Sequence, residues 1–217
     1  MTAPKVLIVN NYGVEYTKMF QDHGWETTDS MEEADLVQFT GGSDVTPAFY
    51  FAHPHPRTAA NKERDEFEKI VFLAAKKMDK PLAGICRGGQ FLNVMNGGTM
   101  WQHVEGHLGE HIAFYTDLKI KNKIKVTSTH HQMMCPANDQ GRYFLLMVAE
   151  NCPVRQKCSS IYAKQNTTIT VRNAKNDVEA LYYRDTNCLC FQPHPEFTNQ
   201  ISLSNLYFEY INNLLLK

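Results

Sequence analysis

The sequence predicts an α/β fold: a single domain with a central, mainly parallel sheet flanked by helices, and antiparallel strands toward its C-terminal edge. In the first half, short apolar runs typical of strands buried on both faces alternate with helical patterns. In the second half, short strands of alternating polarity follow one another. The chain of 217 residues is long enough for one domain with its own core and cramped for two, so we predict one domain over residues 1–217.

The individual elements follow from these patterns in chain order. Within one predicted helix, Phe67, Ile70, Val71 and Ala74 recur at spacings of three and four, which predicts that they form its buried face. The predicted helices are Thr17–His23, Glu63–Lys77, Gly88–Met95 and Ser202–Leu216. The predicted strands are Lys5–Asn10, Leu36–Phe39, Pro81–Ile85, Lys119–Thr127, Tyr143–Ala149, Thr168–Arg172, Val178–Tyr183 and Leu189–Gln192.

Composition and charge narrow the classes of partner. With 22 basic and 23 acidic residues, the net charge of -1 offers no attraction for nucleic acid or an anionic membrane, so we expect a small-molecule partner. The N-terminus reads directly into a strand rather than a secretory signal, and no apolar run has the length of a membrane span. We therefore expect a cytoplasmic protein whose six cysteines are reduced thiols.

Cys86 lies where a predicted buried strand meets a predicted helix, and glycines surround it at Gly84, Gly88 and Gly89. A nucleophile elbow needs such glycines because its sharp turn brings backbone segments too close for Cβ atoms. The N-terminus of the following helix favours a thiolate at this position, and the amide of Arg87 is suited to stabilise an oxyanion. A buried structural cysteine is the alternative, but the glycines favour a nucleophile.

A thiolate nucleophile needs a base that keeps its proton and returns it to the leaving amine, and histidine suits both steps near neutral pH. Nine histidines are candidates. His194 is favoured because it follows an apolar strand and lies between two prolines that restrict the backbone. Glu196 is placed to orient its imidazole, which predicts a Cys86, His194, Glu196 triad.

Five motifs in the same order resemble the class I glutamine amidotransferases, and more closely their γ-glutamyl hydrolase branch. The resemblance covers most of the chain, and one departure from it is Pro193, which stands where the branch has tryptophan. The motifs are Thr40-Gly41-Gly42-Ser43-Asp44-Val45-Thr46-Pro47, Arg64-Asp65-Glu66-Phe67-Glu68, Gly84 to Gln90, Thr127-Ser128-Thr129-His130-His131-Gln132 and Gln192-Pro193-His194-Pro195-Glu196.

The resemblance implies a flavodoxin-like class I glutamine amidotransferase fold and a thioester mechanism that needs neither a metal nor an organic cofactor. In this mechanism Cys86 attacks the γ-glutamyl amide, and backbone amides of Arg87 and Gly42 hold the oxyanion. The resemblance further implies that a glutamyl group binds at a set of loop residues. These expected substrate contacts are Gly41, Gln90, His130, His131 and Gln132.

Three functions remain open at the level of the sequence. The first is hydrolysis of a γ-glutamyl amide, with the leaving amine undefined because the segment between Gly98 and His130 is shorter than is usual in the branch. The second is a glutaminase subunit that passes ammonia to a synthetase partner bound in trans. The third is a catalytically silent binding protein on the same scaffold.

His103, His107 and His111 recur every four residues, which on a helix would align three imidazoles that suit zinc. Gly106 and Gly109 argue against a continuous helix, so we expect exposed or substrate-loop histidines and no metal site. The spacings of Cys152 and Cys158, and of Cys188 and Cys190, do not match those of zinc knuckles. No Gly-Lys-Ser/Thr follows Gly41-Gly42, so a phosphate loop is not expected either.

Overall fold

One large sheet organises the chain and confirms the predicted α/β class. The computed structural model describes residues 2–11, 13–117, 120–137, 141–197 and 201–216. Within this part of the chain the sheet has ten strands, nine of them in the order β2-β1-β3-β4-β12-β11-β10-β7-β8, while β6 pairs with β10 at the side. A separate two-stranded sheet pairs β5 with β9.

The strands and helices have the following bounds. The strands are β1 Lys5–Val9, β2 Glu26–Thr27, β3 Leu36–Phe39, β4 Leu82–Ile85, β5 Thr99–Trp101, β6 His103–Val104, β7 Leu108–Asp117, β8 Ile120–Thr129, β9 Met133–Cys135, β10 Tyr143–Cys158, β11 Thr168–Tyr183 and β12 Cys188–Phe191. The helices are α1 Val14–Asp22, α2 Lys62–Lys77, α3 Arg87–Met95 and α4 Ile201–Tyr210, and a π-helical turn, Ile211–Leu215, continues α4.

The sheet has a parallel half and an antiparallel half. Strands β2, β1, β3, β4 and β12 run parallel, whereas β12, β11, β10, β7 and β8 pair antiparallel in turn. Strand β4 lies between β3 and β12, and all three are fully buried. The loops that leave their carboxyl ends therefore meet at one edge, which is where open parallel sheets bind ligands.

Apolar side chains cover both faces of this sheet. On one face, aromatic residues of α1 and α4 pack together, with the rings of Phe20 and Phe208 5.1 Å apart. On the other face, Phe39 stacks on Phe91 at 5.6 Å, and Phe72 of α2 joins the same cluster. Burial on both faces explains why the parallel strands read as unbroken apolar runs.

The predicted buried face of α2 is wrong. Phe67 and Ile70 are 51% and 67% exposed, Ala74 is exposed and Val71 only partly buried. The helix instead buries the face that carries Asp65, Glu68, Phe72 and Ala75. The apolar pattern misleads here because ion pairs, described below, hold the charged face against the sheet.

Several boundaries in the second half also differ from the prediction. Strand β10 is nine residues longer than Tyr143–Ala149, and the hairpin of β7 and β8 was predicted only in part, as Lys119–Thr127, of which Lys119 lies outside the described residues. The two strands expected between Thr168 and Tyr183 are one strand, β11. Asn173 and Asn176 adopt positive φ in the polar centre of this strand, yet pairing with β10 continues through the region.

His103, His107 and His111 lie on no helix and in no open loop, which corrects the sequence interpretation. His103 is in β6, His107 immediately precedes β7 and His111 lies within β7. His103 and His107 are 5% and 1% exposed.

Each of the six cysteines is free of disulfide bonding. In the part of the chain that the structure covers, no helix combines the length and apolarity that crossing a membrane requires.

Candidate active site

Cys86 lies between β4 and α3 in a backbone conformation that side chains other than glycine rarely adopt. Its φ is +50° and its ψ is −113°. Its N–H donates to the carbonyl of Phe191 at 2.7 Å, which ties the turn to β12. Strain of this kind persists only where the surrounding structure enforces it, and it is common at catalytic centres.

The glycines around Cys86 enforce this turn by allowing close backbone contacts. A Cβ on Gly84 would lie 2.4 Å from the backbone of Gly88, and one on Gly88 would lie 2.3 Å from the carbonyl oxygen of Phe39. A Cβ on Gly89 would lie 2.8 Å from the amide nitrogen of Phe191. Helix α3 therefore packs directly onto β3, β4 and β12, with its N-terminus at the cysteine.

His194 and Glu196 form a hydrogen-bonded pair just beyond β12. Nδ1 of His194 is 2.6 Å from Oε1 of Glu196, and a carboxylate only accepts, so the proton lies on Nδ1. Nε2 of the same ring is 2.9 Å from Oγ1 of Thr129 at the end of β8. Both members of the pair are 7% exposed. Stacking of Phe197 on the imidazole, with centroids 4.7 Å apart, further restricts the ring.

The structure brings Cys86 and His194 into one cavity of about 300 Å³, although 108 positions separate them along the chain. A Cβ built on Gly41 would lie 3.4 Å from Cε1 of His194 and 3.7 Å from Cβ of Cys86, so both side chains approach the same point. The cavity lining is Gly42, Ser43, Asp44, Ala59, Cys86, Arg87, Gln90, Thr129, His130, His131, Gln132 and His194.

The surroundings of His194 favour its protonated form. Burial opposes a charge on the imidazole, but Cys86 and Glu196 outweigh burial and raise the pKa of His194 to about 10. An imidazolium beside Cys86 is the partner that a thiolate requires. The pair can therefore supply a nucleophile and a proton donor together.

The two predicted oxyanion donors, Gly42 and Arg87, both line the cavity. Gly42 has a φ of +142°, and a Cβ there would collide with Arg64. Gly41, a predicted substrate contact, is not among the cavity-lining residues, and its N–H donates to the hydroxyl oxygen of Tyr16 at 2.9 Å. Burial raises the pKa of Tyr16 well above its usual range, so this hydroxyl stays neutral.

The side chain of Arg87 is a structural anchor. Only 1% exposed, it forms close ion pairs with Asp65 and Glu68 on the buried face of α2. Glu68 also accepts from Nε of Arg64 at 2.7 Å, and Asp65 accepts from the N–H of Thr46 at 2.7 Å. These contacts connect the elbow to the loop after β3, and they explain the charged residues of the Arg-Asp-x-Phe-Glu motif at the start of α2.

Gln90 and Gln132 lie side by side on the cavity wall. Nε2 of Gln90 donates to the carbonyl of Gln132 at 3.0 Å and to Oε1 of Gln192 at 3.2 Å. Nε2 of Gln132 donates to Oγ1 of Thr58 at 3.3 Å. These contacts fix two amide side chains that the sequence predicted to touch substrate.

His130 and His131 point in different directions. His131 reaches Asp44, with Nε2 3.2 Å from Oδ1, and this contact raises the pKa of His131. His130 is 4% exposed, and its Nδ1 donates to the carbonyl of Gln132 at 2.8 Å. The ring centroids of His130 and His107 are 4.9 Å apart with the rings tilted by 36°, so part of His130 faces away from the cavity.

Thr129 and Asp44 are the site residues that sequence reasoning did not single out, although both stand inside quoted motifs. Thr129 directly precedes the His-His-Gln segment and contacts the catalytic candidate His194. Asp44 lies in the loop after β3 and contacts His131. In the sequence, only the position of Thr129 and Asp44 inside these motifs pointed to them, and position in a motif does not show where a side chain points.

Fold and site together define the class: an α/β protein of the class I glutamine amidotransferase-like type, with a cysteine on an elbow beside a histidine–glutamate pair. The chain belongs to the peptidase C26 family, whose sequence profile matches residues 8–196.

Sequence relatives agree with this assignment. The glutamine amidotransferase-like protein YvdE of Lactococcus lactis subsp. lactis is 30% identical over 171 residues, 76% of this chain and 66% of YvdE. Protein NtpR of Enterococcus hirae is 38% identical over 73 residues, 33% of this chain and 30% of NtpR. The chain thus spans from about a third to just under two thirds of the length of these relatives.

Solved structures share the fold at low sequence identity. A glutamine amidotransferase from Thermotoga maritima superposes with a TM-score of 0.60 at 14% identity, covering 100% of this chain and 90% of that one. A protein assigned as a GMP synthase subunit from Thermoplasma acidophilum also gives 0.60 at 16% identity, covering 98% of this chain and 100% of that one.

Proposed function

We propose that this chain hydrolyses a γ-glutamyl amide, either glutamine or a γ-glutamyl-amine, through a thioester on Cys86. The observation that carries the proposal is the placement of the strained Cys86 and the His194–Glu196 pair around one cavity of about 300 Å³. That volume is at the small end of the range for ligand pockets and suits a glutamyl side chain better than a polymer.

In the first half-reaction the thiolate of Cys86 attacks the amide carbon, and the carbonyl electrons move to oxygen. Backbone N–H groups of Arg87 and Gly42 hold this oxyanion, and one such donor contributes about 10²–10³-fold in rate. His194 gives its Nε2 proton to the amide nitrogen as the carbon–nitrogen bond breaks. The products of this half are a glutamyl thioester and a free amine or ammonia.

In the second half-reaction the neutral His194 takes a proton from water, and the resulting hydroxide attacks the thioester carbon. The carbon–sulfur bond breaks, which releases glutamate and restores the thiolate beside the imidazolium. Glu196 keeps Nδ1 protonated throughout, so Nε2 is always the nitrogen that exchanges protons.

The pair of Asp44 and His131 in the cavity lining supports a glutamyl substrate. Asp44 raises the pKa of His131, which favours a positive charge on this imidazole beside the carboxylate. We propose that the α-carboxylate of the substrate lies near His131 and its α-ammonium near Asp44, with Gln90 and Gln132 on the side chain. Gly41 holds the loop after β3 in place through its hydrogen bond to Tyr16 and does not contact the substrate.

A panel of γ-glutamyl compounds, with free glutamate as the readout, tests this proposal. We expect turnover by the unaltered protein, loss of turnover in Cys86→Ala, and retention in Cys135→Ala, which removes a different free thiol. Full activity in Cys86→Ala would refute the thioester mechanism. Failure of a glutamine-like electrophile to label Cys86 would instead favour a catalytically silent binding protein.

A second candidate is a glutaminase subunit that passes ammonia to a synthetase partner. It is favoured by the structural likeness to a protein assigned as a GMP synthase subunit. The same panel distinguishes the two functions. High activity of the isolated chain on γ-glutamyl-amines supports the hydrolase, whereas glutamine hydrolysis that rises only when a synthetase is added supports the glutaminase role.

A further inference from the structure

Three histidines and two carboxylates form a buried group beside the active site, and the proposed mechanism does not use it. We call this group the histidine–carboxylate cluster; its members are His107, His111, His130, Asp177 and Glu179. Asp177 and Glu179 are fully buried and lie two positions apart on β11, so they face the same side of that strand. The sequence interpretation placed no metal here, because the histidines were expected to be exposed or in a substrate loop.

Hydrogen bonding of Nε2 to Asp177 directs Nδ1 of His107 into the cluster. Its Nε2 donates to Oδ2 of Asp177 at 2.7 Å, so in the neutral ring Nδ1 carries the lone pair. Nδ1 is fully buried, has no hydrogen-bond partner in the described structure and lies 3.2 Å from Oε1 of Glu179. Burial lowers the pKa of His107, but Asp177, Cys152 and Glu179 outweigh burial and raise it to about 11, so without a metal a proton lies between Nδ1 and Glu179. A metal ion bound here would displace that proton.

His130 presents a second lone pair. Its Nδ1 donates to the carbonyl of Gln132 at 2.8 Å, which fixes the lone pair on Nε2. This residue is 4% exposed, and its Nε2 has no hydrogen-bond partner among the described residues.

Glu179 completes a set of three donor groups. Its Oε1 is 3.1 Å from Nε2 of His111, while Oε2 has no hydrogen-bond partner within the described part of the chain. Donor atoms of His107, His130 and Glu179 all lie within 4.8 Å of one another. One ion at their centre would need only small side-chain movements to reach bonding distances of about 2.0–2.2 Å.

We propose that Nδ1 of His107, Nε2 of His130 and the carboxylate of Glu179 bind a divalent transition metal ion, with zinc the best match. Two imidazoles and one carboxylate are a known zinc ligand set, and neutral imidazole prefers zinc to magnesium or calcium. Metal-bound histidines usually donate their other N–H to a carboxylate or a backbone carbonyl. Asp177 and Gln132 provide these two acceptors.

A different grouping of His107 with Cys152 and Asp177 is also compact, but protein contacts already use its atoms. The thiol of Cys152 donates to the carbonyl of Val154 at 3.0 Å. Asp177 accepts from His107 and forms a close ion pair with Arg155. This grouping therefore lacks a second histidine nitrogen without a hydrogen-bond partner, such as Nε2 of His130 in the first grouping.

The ion would stabilise the segment from Thr129 to Gln132, which lines the cavity of the candidate active site. His130 directly follows Thr129, and its carbonyl-bound ring supports the segment that ends at Gln132. The role is structural and does not depend on the γ-glutamyl hydrolase proposal. The test therefore uses metal binding as its readout rather than turnover.

Metal content after zinc or cobalt loading and gel filtration is the first measurement. We expect one equivalent of either ion per chain, and a visible spectrum typical of four-coordinate cobalt without a thiolate charge-transfer band. Less than about a tenth of an equivalent at saturating metal, or a spectrum from a solvent-exposed six-coordinate ion, would overturn the proposal. A thiolate band would overturn this ligand set in favour of Cys152.

Substitutions then assign the ligands. We expect Glu179→Gln and His130→Asn to abolish stoichiometric retention, and Asp177→Asn to weaken affinity by about 10–100-fold through the orientation of His107. The control is His53→Asn, which removes an imidazole outside the cluster and should leave retention unchanged. Unchanged retention in both ligand variants would refute the site, and the spectrum of the unaltered protein decides the matter if either variant does not fold.

Discussion

Thr129 contacts Nε2 of His194, the nitrogen that in the proposed mechanism gives a proton to the leaving amine and takes one from water. With Nδ1 committed to Glu196, the proton of the imidazolium at Nε2 points to Oγ1 of Thr129, 2.9 Å away. Hydrogen bonds to a charged group are about twice as strong as neutral ones, so Thr129 stabilises the imidazolium more than the neutral ring. The residue thereby helps to set the pH range in which the proton donor is present.

Thr129→Val should shift the alkaline limb of the pH profile for kcat/KM. This limb reports loss of the His194 proton, and the pKa of His194 is about 10 in the unaltered protein. Valine keeps the shape and removes the acceptor, so we expect the limb to move to lower pH by up to about one unit, equivalent to about 1.4 kcal/mol. Thr129→Ser should retain the original limb, and an unmoved limb in the valine variant would contradict this role.

Helix α2 uses its buried face for charge rather than apolar contact. Arg87, Asp65 and Glu68 are at most 1% exposed and compensate one another, and Arg64 extends the group toward Thr40. A buried charge that loses its partner carries a large desolvation penalty. The network therefore fixes the angle at which α2 meets the elbow.

Glu68→Gln should lower the free energy of unfolding by about 3–5 kcal/mol, because it leaves Arg87 and Arg64 with reduced compensation in a buried site. Urea unfolding followed by circular dichroism measures the change. The matched control is Asp22→Asn, which breaks the exposed pair with Lys18 and should cost less than about 1 kcal/mol. An equal loss of unfolding free energy in Glu68→Gln and Asp22→Asn would show that the buried ion pairs contribute no more than an exposed one.

The elbow depends on backbone contacts that only glycine allows. Gly84→Ala should therefore destabilise the protein by at least about 1–3 kcal/mol, since its Cβ would meet the backbone of Gly88 at 2.4 Å. In Gly13→Ala the new Cβ meets only the flexible end of Glu15, so we expect a much smaller loss. Thermal unfolding of both variants tests the difference, and a similar melting temperature for both would contradict it.

The sequence predicted correctly those elements whose structure follows from their own residues. Strands β3 and β4 are buried on both faces, so their apolar runs predicted them closely. It failed on α2, where the partner of Asp65 and Glu68 is Arg87, a residue about 20 positions away whose direction no periodicity reveals. It also split β11, because asparagines that favour turns are held in a ladder by β10.

The candidate active site is a property of the whole molecule, because it unites the carboxyl ends of β3, β4 and β12 with the end of β8. The motifs could be read along the chain, since each has its own glycine, cysteine or histidine pattern. Their approach to one cavity rests on strand order, which places β12 beside β4 although His194 follows Cys86 by 108 positions in the sequence. The burial of His107 was not foreseeable, because its partners on β11 meet it only in the folded sheet.

Folding stability should depend on pH through His194. Its folded pKa of about 10 exceeds the ordinary value of 6.5, so its contribution is complete below pH 6.5 and is lost as the pH rises toward 10. We expect the stability advantage of the unaltered protein over His194→Asn to shrink across this window by at most about 1.4 kcal/mol per pH unit. Urea titrations at several pH values measure it, and a constant difference would show that the ring is not charged when folded.

The loop after β3 is fastened at both ends before any ligand arrives. Tyr16 accepts from Gly41 at one end, and Asp65 accepts from Thr46 at the other. These hydrogen bonds hold the loop in place before a ligand binds, so binding does not have to order the loop. The loss of conformational entropy that a closing lid would impose at each turnover is incurred once, during folding.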